Sequence, residues 1–413
     1  MKTSARQRLV VAGNGMASVR VLEELLRTAP ERYDITVFGA EPHGNYNRIL
    51  LSPLLAGDKS LNDIVTHTHE WYAERGIALH TGDPVIAIDR ARRVVTTRGG
   101  RNAGYDRLLL ATGSRPFVLP VPGRELPGVV SFRDIADVDT MLEACRRHRR
   151  AIVIGGGLLG LEAAHALKRR GMEVTVIHLM DRLMERQLDA AAAALLQRHL
   201  ETSGLTILLN AQTESILGQE RAVGVRLKDG RSLPGDLVVM AAGIVPNVEL
   251  AKSAGLPCER GILVNDTLQT FDPRVYAVGE CVQHRKAVYG LVAPLYEQAK
   301  VCANHLAGHG AARYAGSVVS TRLKVTGVEL FSAGNFLGGE GTRDLIYQDT
   351  RRGIYKRLVL KAGRLEGAVL YGEAADGGWY FDLIRKRADV SRYRDRLVFG
   401  RHHAEASLPA AAA

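Results

Sequence analysis

Cysteine is scarce in this chain of 413 residues, and its spacing is irregular. The four cysteines are Cys145, Cys258, Cys281 and Cys302, and no two of them stand in a C-x-x-C or C-x4-C arrangement. That spacing argues against a disulfide framework, a zinc site and a redox-active dithiol. We therefore expect ordinary structural thiols and no metal site.

Long apolar runs and a secretory signal are missing as well. No stretch approaches the roughly 20 consecutive apolar residues that a membrane-spanning helix requires. The polar start of the chain runs directly into a strand pattern at residues 8–13, which does not resemble a secretory signal. We expect a cytoplasmic protein that does not associate with a membrane.

Acidic residues are outnumbered by basic ones, which gives a formal net charge of +11. This charge would suit an acidic partner, and it fits a general role in solubility equally well. Nucleic acid is a poor candidate, because no recognised binding motif and no interleaving of aromatic with basic residues accompanies the charge. We therefore expect no nucleic-acid partner.

Two glycine-rich segments, about 140 residues apart, are the most informative features that are present. Each follows an apolar strand pattern and precedes a helix pattern, which is where a dinucleotide-binding turn belongs. One such segment is weak evidence, but two of them in this context indicate a protein that binds two dinucleotides. The usual pair is a flavin and a nicotinamide, so that electrons pass from one to the other.

The first segment reads VAGNGMAS. Gly13 permits the tight bend, and Gly15 lets the backbone approach a pyrophosphate at the helix N-terminus. Ser18 occupies the place of the third glycine, where a small side chain still allows close packing of helix on strand. Glu41 follows the second strand pattern and is expected to accept hydrogen bonds from a ribose; a solvated loop carboxylate is the alternative reading.

The second segment, IGGGLLGLE, has glycine at all three positions of the pattern, namely Gly155, Gly157 and Gly160. The residue after its second strand is His178, where a carboxylate would favour NADH and repel the 2′-phosphate of NADPH. The missing carboxylate, with Arg182 and Arg186 nearby, leaves NADPH open, although both arginines also suit a solvated helix start. We therefore expect NAD(P)H at this turn, with His178 at its cofactor site.

The order of these patterns predicts an α/β protein with two Rossmann-like dinucleotide-binding domains and a small α+β C-terminal domain. The first domain is discontinuous and comprises residues 1–115 and 244–316. The second comprises residues 116–243, after a linker rich in proline. Residues 317–400 are expected to form the C-terminal domain, and residues 401–413 a disordered tail.

Further segments resemble the glutathione reductase-like flavoprotein superfamily. The segment TFDPRVYAVGE, which ends at Gly279 and Glu280, resembles its second FAD fingerprint, in which a Gly-Asp pair binds the ribitol chain. Here a glutamate replaces the aspartate. The residues Ala111, Thr112 and Gly113 resemble the superfamily's Ala-Thr-Gly element, which touches the flavin nucleotide.

Pro294 lies on a stretch whose helix N-terminus faces the flavin pyrimidine in that superfamily. The helix dipole would favour a negative charge there. The resemblance therefore implies that FAD binds to the first domain and NAD(P)H to the second.

A narrower resemblance links the segments NYNRILLS, GGGLLGLEAA, YAVGEC and GLVAP to one subgroup. That subgroup is the flavin-containing N-terminal part of the large subunit of NAD(P)H-dependent assimilatory nitrite reductase. The full subunit continues into a cysteine-rich iron–sulfur segment and sirohaem domains, which this sequence lacks. The resemblance implies a separate iron–sulfur or haem electron acceptor, such as a sirohaem nitrite reductase or a nitrate reductase subunit.

Two residues are candidates for a catalytic role. Glu162 matches a glutamate that pairs with a lysine near the flavin in related ferredoxin reductases, but Pro53 stands where that lysine would be. Glu162 therefore needs another partner, or it is a structural helix carboxylate. Arg48 is expected to contact the flavin, because a cation near the isoalloxazine stabilises the reduced anion; a surface arginine is the alternative.

Together these observations predict an FAD-dependent NAD(P)H oxidoreductase that delivers electrons to a separate redox partner of nitrite or nitrate assimilation. The alternatives are a rubredoxin or ferredoxin reductase unrelated to nitrogen, an NAD(P)H oxidase, and a non-catalytic flavoprotein that senses nucleotides. Disulfide reduction is disfavoured by the missing dithiol. The oligomeric state is left open, and a homo-oligomer is among the states the sequence allows.

Overall fold

The computed structural model describes residues 6–325 and 327–406. The chain divides into two compact units, each built from two separate stretches of sequence. The first unit comprises Met1–Pro116 and Ile244–Ser317, and the second comprises Phe117–Gly243 and the chain from Val318 onward. Within the described residues, no helix has both the length and the apolar character needed to cross a membrane.

The first unit is built on a parallel sheet of five strands. In spatial order, the strands are Val275–Ala277, Arg107–Leu110, Gln7–Ala12, Tyr33–Phe38 and Ala78–His80. Residues 9–12 are buried on both faces of their strand, as expected for a parallel strand that is covered on both sides. Helices Met16–Thr28 and Val292–Leu306 pack against each other beside this core.

Smaller elements complete the first unit. Its other paired strands are Asn45–Tyr46 with Val65–His67, Val85–Asp89 with Val94–Thr97 and Asn102–Gly104, Ser114–Pro116 with Ile244–Pro246, and Ile262–Val264 with Val282–His284. Its short helices are Arg48–Leu50, Leu51–Ala56, Leu61–Ile64, His69–Glu74 and Glu249–Ser253. The strand pair of Ser114–Pro116 and Ile244–Pro246 lies at two of the three places where the chain passes between the units.

The second unit repeats the parallel arrangement. Its five strands, in spatial order, are Val129–Ser131, Leu237–Met240, Arg150–Ile154, Glu173–Ile177 and Thr206–Leu208. Its helices in this part are Ile135–Arg147, Leu158–Arg169 and Ala190–Thr202. An antiparallel sheet of Thr213–Gly218, Ala222–Leu227 and Ser232–Pro234 accompanies them.

The C-terminal part of the second unit is an antiparallel sheet of five strands. In spatial order, these are Ser320–Val325, Val328–Gly334, Arg364–Tyr371, Ile354–Lys361 and Thr342–Asp349. The helices that follow are Gly377–Lys386, Ser391–Phe399 and Arg401–Glu405. The predicted fold class, two Rossmann-like domains with a small α+β domain, is confirmed.

The start of the predicted disordered tail differs from expectation, since Arg401–Glu405 is a short helix. Ala404 is fully buried there, and the ring of His403 lies 6.3 Å from that of Phe399. These contacts hold the segment in a helix, although its polar sequence predicted disorder. Residues 407–413 of the predicted tail lie outside the described residues.

Asp189 connects the helix Ala190–Thr202 to the C-terminal sheet. One carboxylate oxygen accepts a hydrogen bond from the Ala192 amide at 3.1 Å and so caps the helix. The other accepts the Tyr355 hydroxyl at 2.6 Å and Arg357 at 3.3 Å. Burial raises the pKa of Tyr355, so its hydroxyl remains a donor to this carboxylate. These bonds join residues far apart in sequence within the second unit.

We expect Asp189→Ala to destabilise the protein by about 2–4 kcal/mol, because it removes the cap, leaves the buried Tyr355 hydroxyl without its acceptor and removes one of the two carboxylate partners of Arg357. Asp134 caps the helix Ile135–Arg147 through the Asp137 amide alone. Asp134→Ala is therefore the matched control and should cost about 1 kcal/mol. Urea denaturation measures both free energies of unfolding, and equal losses would show that the contacts to the C-terminal sheet add nothing.

Candidate functional site

The first glycine turn brings the backbone against a neighbouring strand. Gly13 has a φ of +114°, and a Cβ at this position would lie 2.1 Å from the Ala111 carbonyl oxygen. At Gly15, by contrast, a Cβ would meet no atom within 4 Å. The turn therefore requires glycine at position 13 for its own shape, while the open space at Gly15 leaves room for a ligand to reach the backbone.

The second turn repeats this geometry. Gly155 has a φ of +128°, and its Cβ would lie 2.3 Å from the Ala241 carbonyl oxygen. Gly157 has open space around it, as Gly15 has. Each turn follows a parallel strand in its own unit. The two turns are therefore two copies of the same strand–turn–helix motif.

The third position differs between the turns. A Cβ at Gly160 would lie 2.0 Å from the Gly155 carbonyl oxygen, so only glycine fits there. Ser18, at the matching place, is fully buried, and its hydroxyl donates to the Gly15 carbonyl at 2.9 Å. The first turn thus accommodates a side chain that also satisfies a carbonyl within the turn.

The helices that follow the turns begin without a side-chain cap. Five described helices have 12 residues or more, and two of them are capped by an aspartate, Asp134 or Asp189. The other three begin after Gly15, Gly157 and Leu291, and no side chain accepts from their first amides. Free amides and the positive end of the helix dipole favour phosphate groups or another electron-rich group. These three helix starts are the ones at which the sequence predicts cofactor contacts.

Pro294 belongs to the third of these helices. It is the third residue of Val292–Leu306 and is buried. Further along the same helix, Gln298 is fully buried and accepts a hydrogen bond from the Gly279 amide at 3.0 Å. This bond ties the predicted FAD fingerprint to the helix, and the sequence analysis did not anticipate it.

Glu41, Tyr46 and Arg48 form one cluster. The Tyr46 hydroxyl donates to one oxygen of Glu41 at 2.6 Å, and the guanidinium of Arg48 forms an ion pair with the other. The guanidinium also lies 5.0 Å from the centre of the Tyr46 ring. Glu41 and Arg48 keep 29% and 27% of their side-chain surface exposed, so a ligand can reach both. Arg48 therefore contacts the carboxylate that the sequence predicts to bind a ribose.

The Ala111–Gly113 element is held by a residue from the returning chain. The Thr112 hydroxyl donates to the Asn247 carbonyl, and the Asn247 amide group donates to the Thr112 carbonyl, both at 2.8 Å. Gly113 has a φ of +65°, which favours glycine. Sequence reasoning missed Asn247, whose only signal is its place shortly after the strand that returns from the second unit.

Glu280 follows the turn at Gly279, which has a φ of +95°. The Ser114 hydroxyl donates to Glu280 at 2.8 Å, so Glu280 lies beside the Ala111–Gly113 element. The structure thus brings together the two elements that the resemblance assigned to FAD. Ser114 was also missed by the sequence analysis.

His178 is buried beside the second turn. Its Nδ1 accepts a hydrogen bond from the Gly156 amide at 3.0 Å, and its Nε2 lies 3.2 Å from Glu185. Because Nδ1 is an acceptor, the ring proton is on Nε2 and points to the carboxylate. Of the two arginines that leave NADPH open, Arg182 contacts Asp181 at 3.0 Å and Arg186 is 85% exposed.

Glu162 is half-buried on the helix Leu158–Arg169, five residues after Gly157. Arg48, the other residue predicted to be catalytic, lies in the first unit, and Glu162 lies in the second.

The four cysteines all lie in the described part of the chain, and all are free thiols. Burial raises the pKa of each thiol, which disfavours the reactive thiolate. Among the described residues, no group of three or more His, Cys, Asp or Glu side chains is arranged to hold a metal ion.

Two dinucleotide turns on two parallel sheets, with a third uncapped helix in the first unit, define an oxidoreductase that uses two nucleotide cofactors. A model of the pyridine nucleotide-disulphide oxidoreductase family matches residues 7–305. The chain belongs to this family, and its cofactors are FAD and NAD(P)H. A second model, of the rubredoxin NAD+ reductase C-terminal domain, matches residues 320–388.

Two relatives from Bacillus subtilis align with nearly the whole chain. One is a nitrite reductase [NAD(P)H], 53% identical over 386 residues, which are 94% of this chain and 48% of the relative. The other is an assimilatory nitrate reductase electron transfer subunit, 46% identical over 393 residues, which are 95% of this chain and 51% of the relative. The chain thus spans about half the length of the relatives it matches.

The fold is similar to that of putidaredoxin reductase in its covalent complex with putidaredoxin. The TM-score is 0.85 with 28% sequence identity, and 94% of each chain is covered. The resemblance to the flavoprotein superfamily and to its nitrite reductase subgroup is confirmed by these comparisons.

We expect the third position of the two turns to respond differently to alanine. Gly160→Ala places a Cβ against the Gly155 carbonyl, and the displaced turn should cost about 2–3 kcal/mol despite the better helix propensity of alanine. Ser18→Ala removes one hydrogen bond and should cost about 1 kcal/mol. Urea denaturation measures both losses. A Gly160→Ala variant as stable as the unmodified protein would contradict the steric argument.

Proposed function

We propose that this chain is an FAD-dependent NAD(P)H oxidoreductase that passes electrons to a separate redox partner in nitrite or nitrate assimilation. The observation that carries the proposal is the alignment of 94–95% of the chain with two relatives named for nitrite and nitrate reduction. One of those names is that of an electron transfer subunit. When bound, NAD(P)H would supply hydride-transfer chemistry and FAD would supply one-electron transfer to a partner.

The FAD site is assigned to the first unit. Its residues come from the first glycine turn, from the cluster around Glu41, from the Ala111–Gly113 and Gly279–Glu280 elements, and from the start of the helix Val292–Leu306. They are Gly13, Gly15, Ser18, Glu41, Ala111, Thr112, Gly113, Gly279, Glu280 and Pro294. Gly15 and the amides after it would hold the pyrophosphate. Glu280, as an acceptor held by Ser114, would bind ribitol hydroxyls.

Arg48 would act on FAD through Glu41. Its ion pair with Glu41 holds the carboxylate that would accept from the adenosine ribose, so Arg48 would act at the adenosine end of FAD. The proposal therefore makes Arg48 a positioning residue in the cofactor site, and its effect is on FAD affinity.

The NAD(P)H site is assigned to the second turn. Gly155, Gly157 and Gly160 shape this turn, and His178 accepts a hydrogen bond from the amide of Gly156. Glu162 would lie one helical turn further along, where a half-buried carboxylate can orient the nicotinamide half of the cofactor. The main contribution of these residues is to hold the nucleotide in one orientation and to exclude water.

The partner is proposed to be an iron–sulfur or haem protein, such as a sirohaem nitrite reductase or a nitrate reductase subunit, and the location to be cytoplasmic. The formal charge of +11 favours an acidic partner surface. A second candidate is a rubredoxin or ferredoxin reductase unrelated to nitrogen. The match of residues 320–388 to the C-terminal domain of rubredoxin reductases favours this reading.

Arg48→Gln and Glu41→Gln are each expected to weaken FAD binding by about tenfold, because either change disrupts the same carboxylate cluster. The double variant should bind FAD about as tightly as the single variant with the lower affinity, since the two residues act as one unit. Flavin fluorescence of the deflavinated protein, titrated with FAD, measures the affinities. Arg231→Gln, which breaks an exposed ion pair with Asp229 in the second unit, is the control. Additive losses would instead place Arg48 and Glu41 at separate parts of FAD.

Anaerobic stopped-flow mixing with NADH and with NADPH tests the oxidoreductase itself. We expect the flavin absorbance to bleach within milliseconds to seconds, in line with ordinary enzymatic turnover. Bleaching over hours would contradict a reductase and favour a nucleotide sensor. Subsequent mixing with a ferredoxin, a rubredoxin or oxygen identifies the acceptor class, and fast steady consumption of NAD(P)H with oxygen alone would favour an oxidase.

A further inference from the structure

His178 occupies the place from which a Rossmann domain reads the ribose of its nucleotide. It follows the second strand of the unit, Glu173–Ile177, and comes 21 residues after Gly157. A carboxylate at about this distance normally accepts hydrogen bonds from the ribose hydroxyls. Both nitrogens of His178 are already engaged, one with the Gly156 amide and the other with Glu185. The imidazole therefore cannot read the ribose itself.

Glu185 is the carboxylate that His178 brings to this position. Its Oε2 lies 3.2 Å from the Nε2 of His178, and 22% of its side-chain surface is exposed. One imidazole ring separates this carboxylate from the Gly156 amide of the glycine turn. A partly exposed, oriented carboxylate thus stands beside the turn, although the residue at the end of the strand is not an acid.

The segment that carries Glu185 is fixed to the same turn by its neighbours. The Met184 amide donates to the Gly156 carbonyl at 3.0 Å, and Met184 and Leu183 are fully buried. A Cβ at Gly156 would lie 2.6 Å from the Leu183 side chain, so this side chain packs directly against the turn. Glu185 is therefore held next to the turn by the residues before it as well as by His178.

We propose that Glu185 is the specificity-determining residue of the nicotinamide site, and that it makes NADH preferred over NADPH. Its carboxylate would accept from the 2′-hydroxyl of the adenosine ribose and repel a 2′-phosphate. His178 is a positioning residue that acts through Glu185. This inference rests on the proposed function, because it assumes that the second turn binds a nicotinamide nucleotide.

Arg182 and Arg186 are the residues that would favour the opposite preference. Arg182 is held by Asp181 at 3.0 Å, which neutralises its charge locally, although its buried Nε has no hydrogen-bond partner among the described residues. The guanidinium of Arg186 is 85% exposed and lies 3.7 Å from Glu185. An exposed, hydrated cation adds little selectivity, so the held carboxylate should decide the preference.

Isothermal titration calorimetry of the FAD-loaded protein with ADP-ribose and with 2′-phospho-ADP-ribose tests the proposal. Neither ligand carries nicotinamide, so binding is measured without any hydride transfer. We expect ADP-ribose to bind at least about tenfold more tightly. Tighter binding of the 2′-phosphorylated ligand would overturn the proposal and point to Arg182.

Glu185→Gln keeps the shape of the side chain and removes its charge, so the preference should fall to about threefold or less. Glu201→Gln makes the same change of charge at an exposed position on the helix Ala190–Thr202 and should leave the preference unchanged. His178→Asn can still accept from the Gly156 amide but cannot reach Glu185, and it should lower the preference for ADP-ribose as well.

An unchanged preference in Glu185→Gln would overturn the proposal while leaving the nicotinamide site intact. Failure of the unmodified protein to bind either ligand would overturn the nicotinamide site itself.

Discussion

The close approach of each glycine turn to the carbonyl end of a neighbouring strand is the constraint on which the rest of the structure depends. Gly13 and Gly155 both have positive φ angles and lie so near to Ala111 and Ala241 that a Cβ would overlap the carbonyl oxygen. Only this approach lets the chain leave a buried parallel strand and start a helix directly above the sheet edge. The cofactor sites are consequences of that geometry, because a ligand at either turn meets backbone amides with no side chain in front of them.

The distribution of helix caps has the same origin. Asp134 and Asp189 satisfy the first amides of helices whose role is structural, and Asp189 also joins its helix to the C-terminal sheet. The helices after Gly15, Gly157 and Leu291 leave their first amides for a ligand. Unsatisfied amides lower stability unless something binds them, so these helices should gain stability when their nucleotides bind.

Much of the fold, including the two glycine turns and the helices that follow them, could be predicted from the sequence. The glycine spacing, the apolar strands before it and the helices after it are local patterns, and local patterns survive folding. The partners of the predicted residues could not be found in this way. Arg48 contacts Glu41 and His178 contacts Glu185, and the local sequence around Arg48 and His178 did not indicate either partner. Asp189 and Tyr355 are 166 residues apart, so only the folded chain brings them together.

The central claim is that the two turns hold different cofactors, FAD at the first and NAD(P)H at the second. Amide hydrogen exchange, read on peptides that cover residues 13–18 and 155–160, tests this directly. FAD is predicted to slow exchange at residues 13–18 without affecting residues 155–160, and ADP-ribose added to the FAD-loaded protein is predicted to slow exchange at residues 155–160. Protection of both turns by FAD alone, or no protection of residues 155–160 by ADP-ribose, would contradict the account.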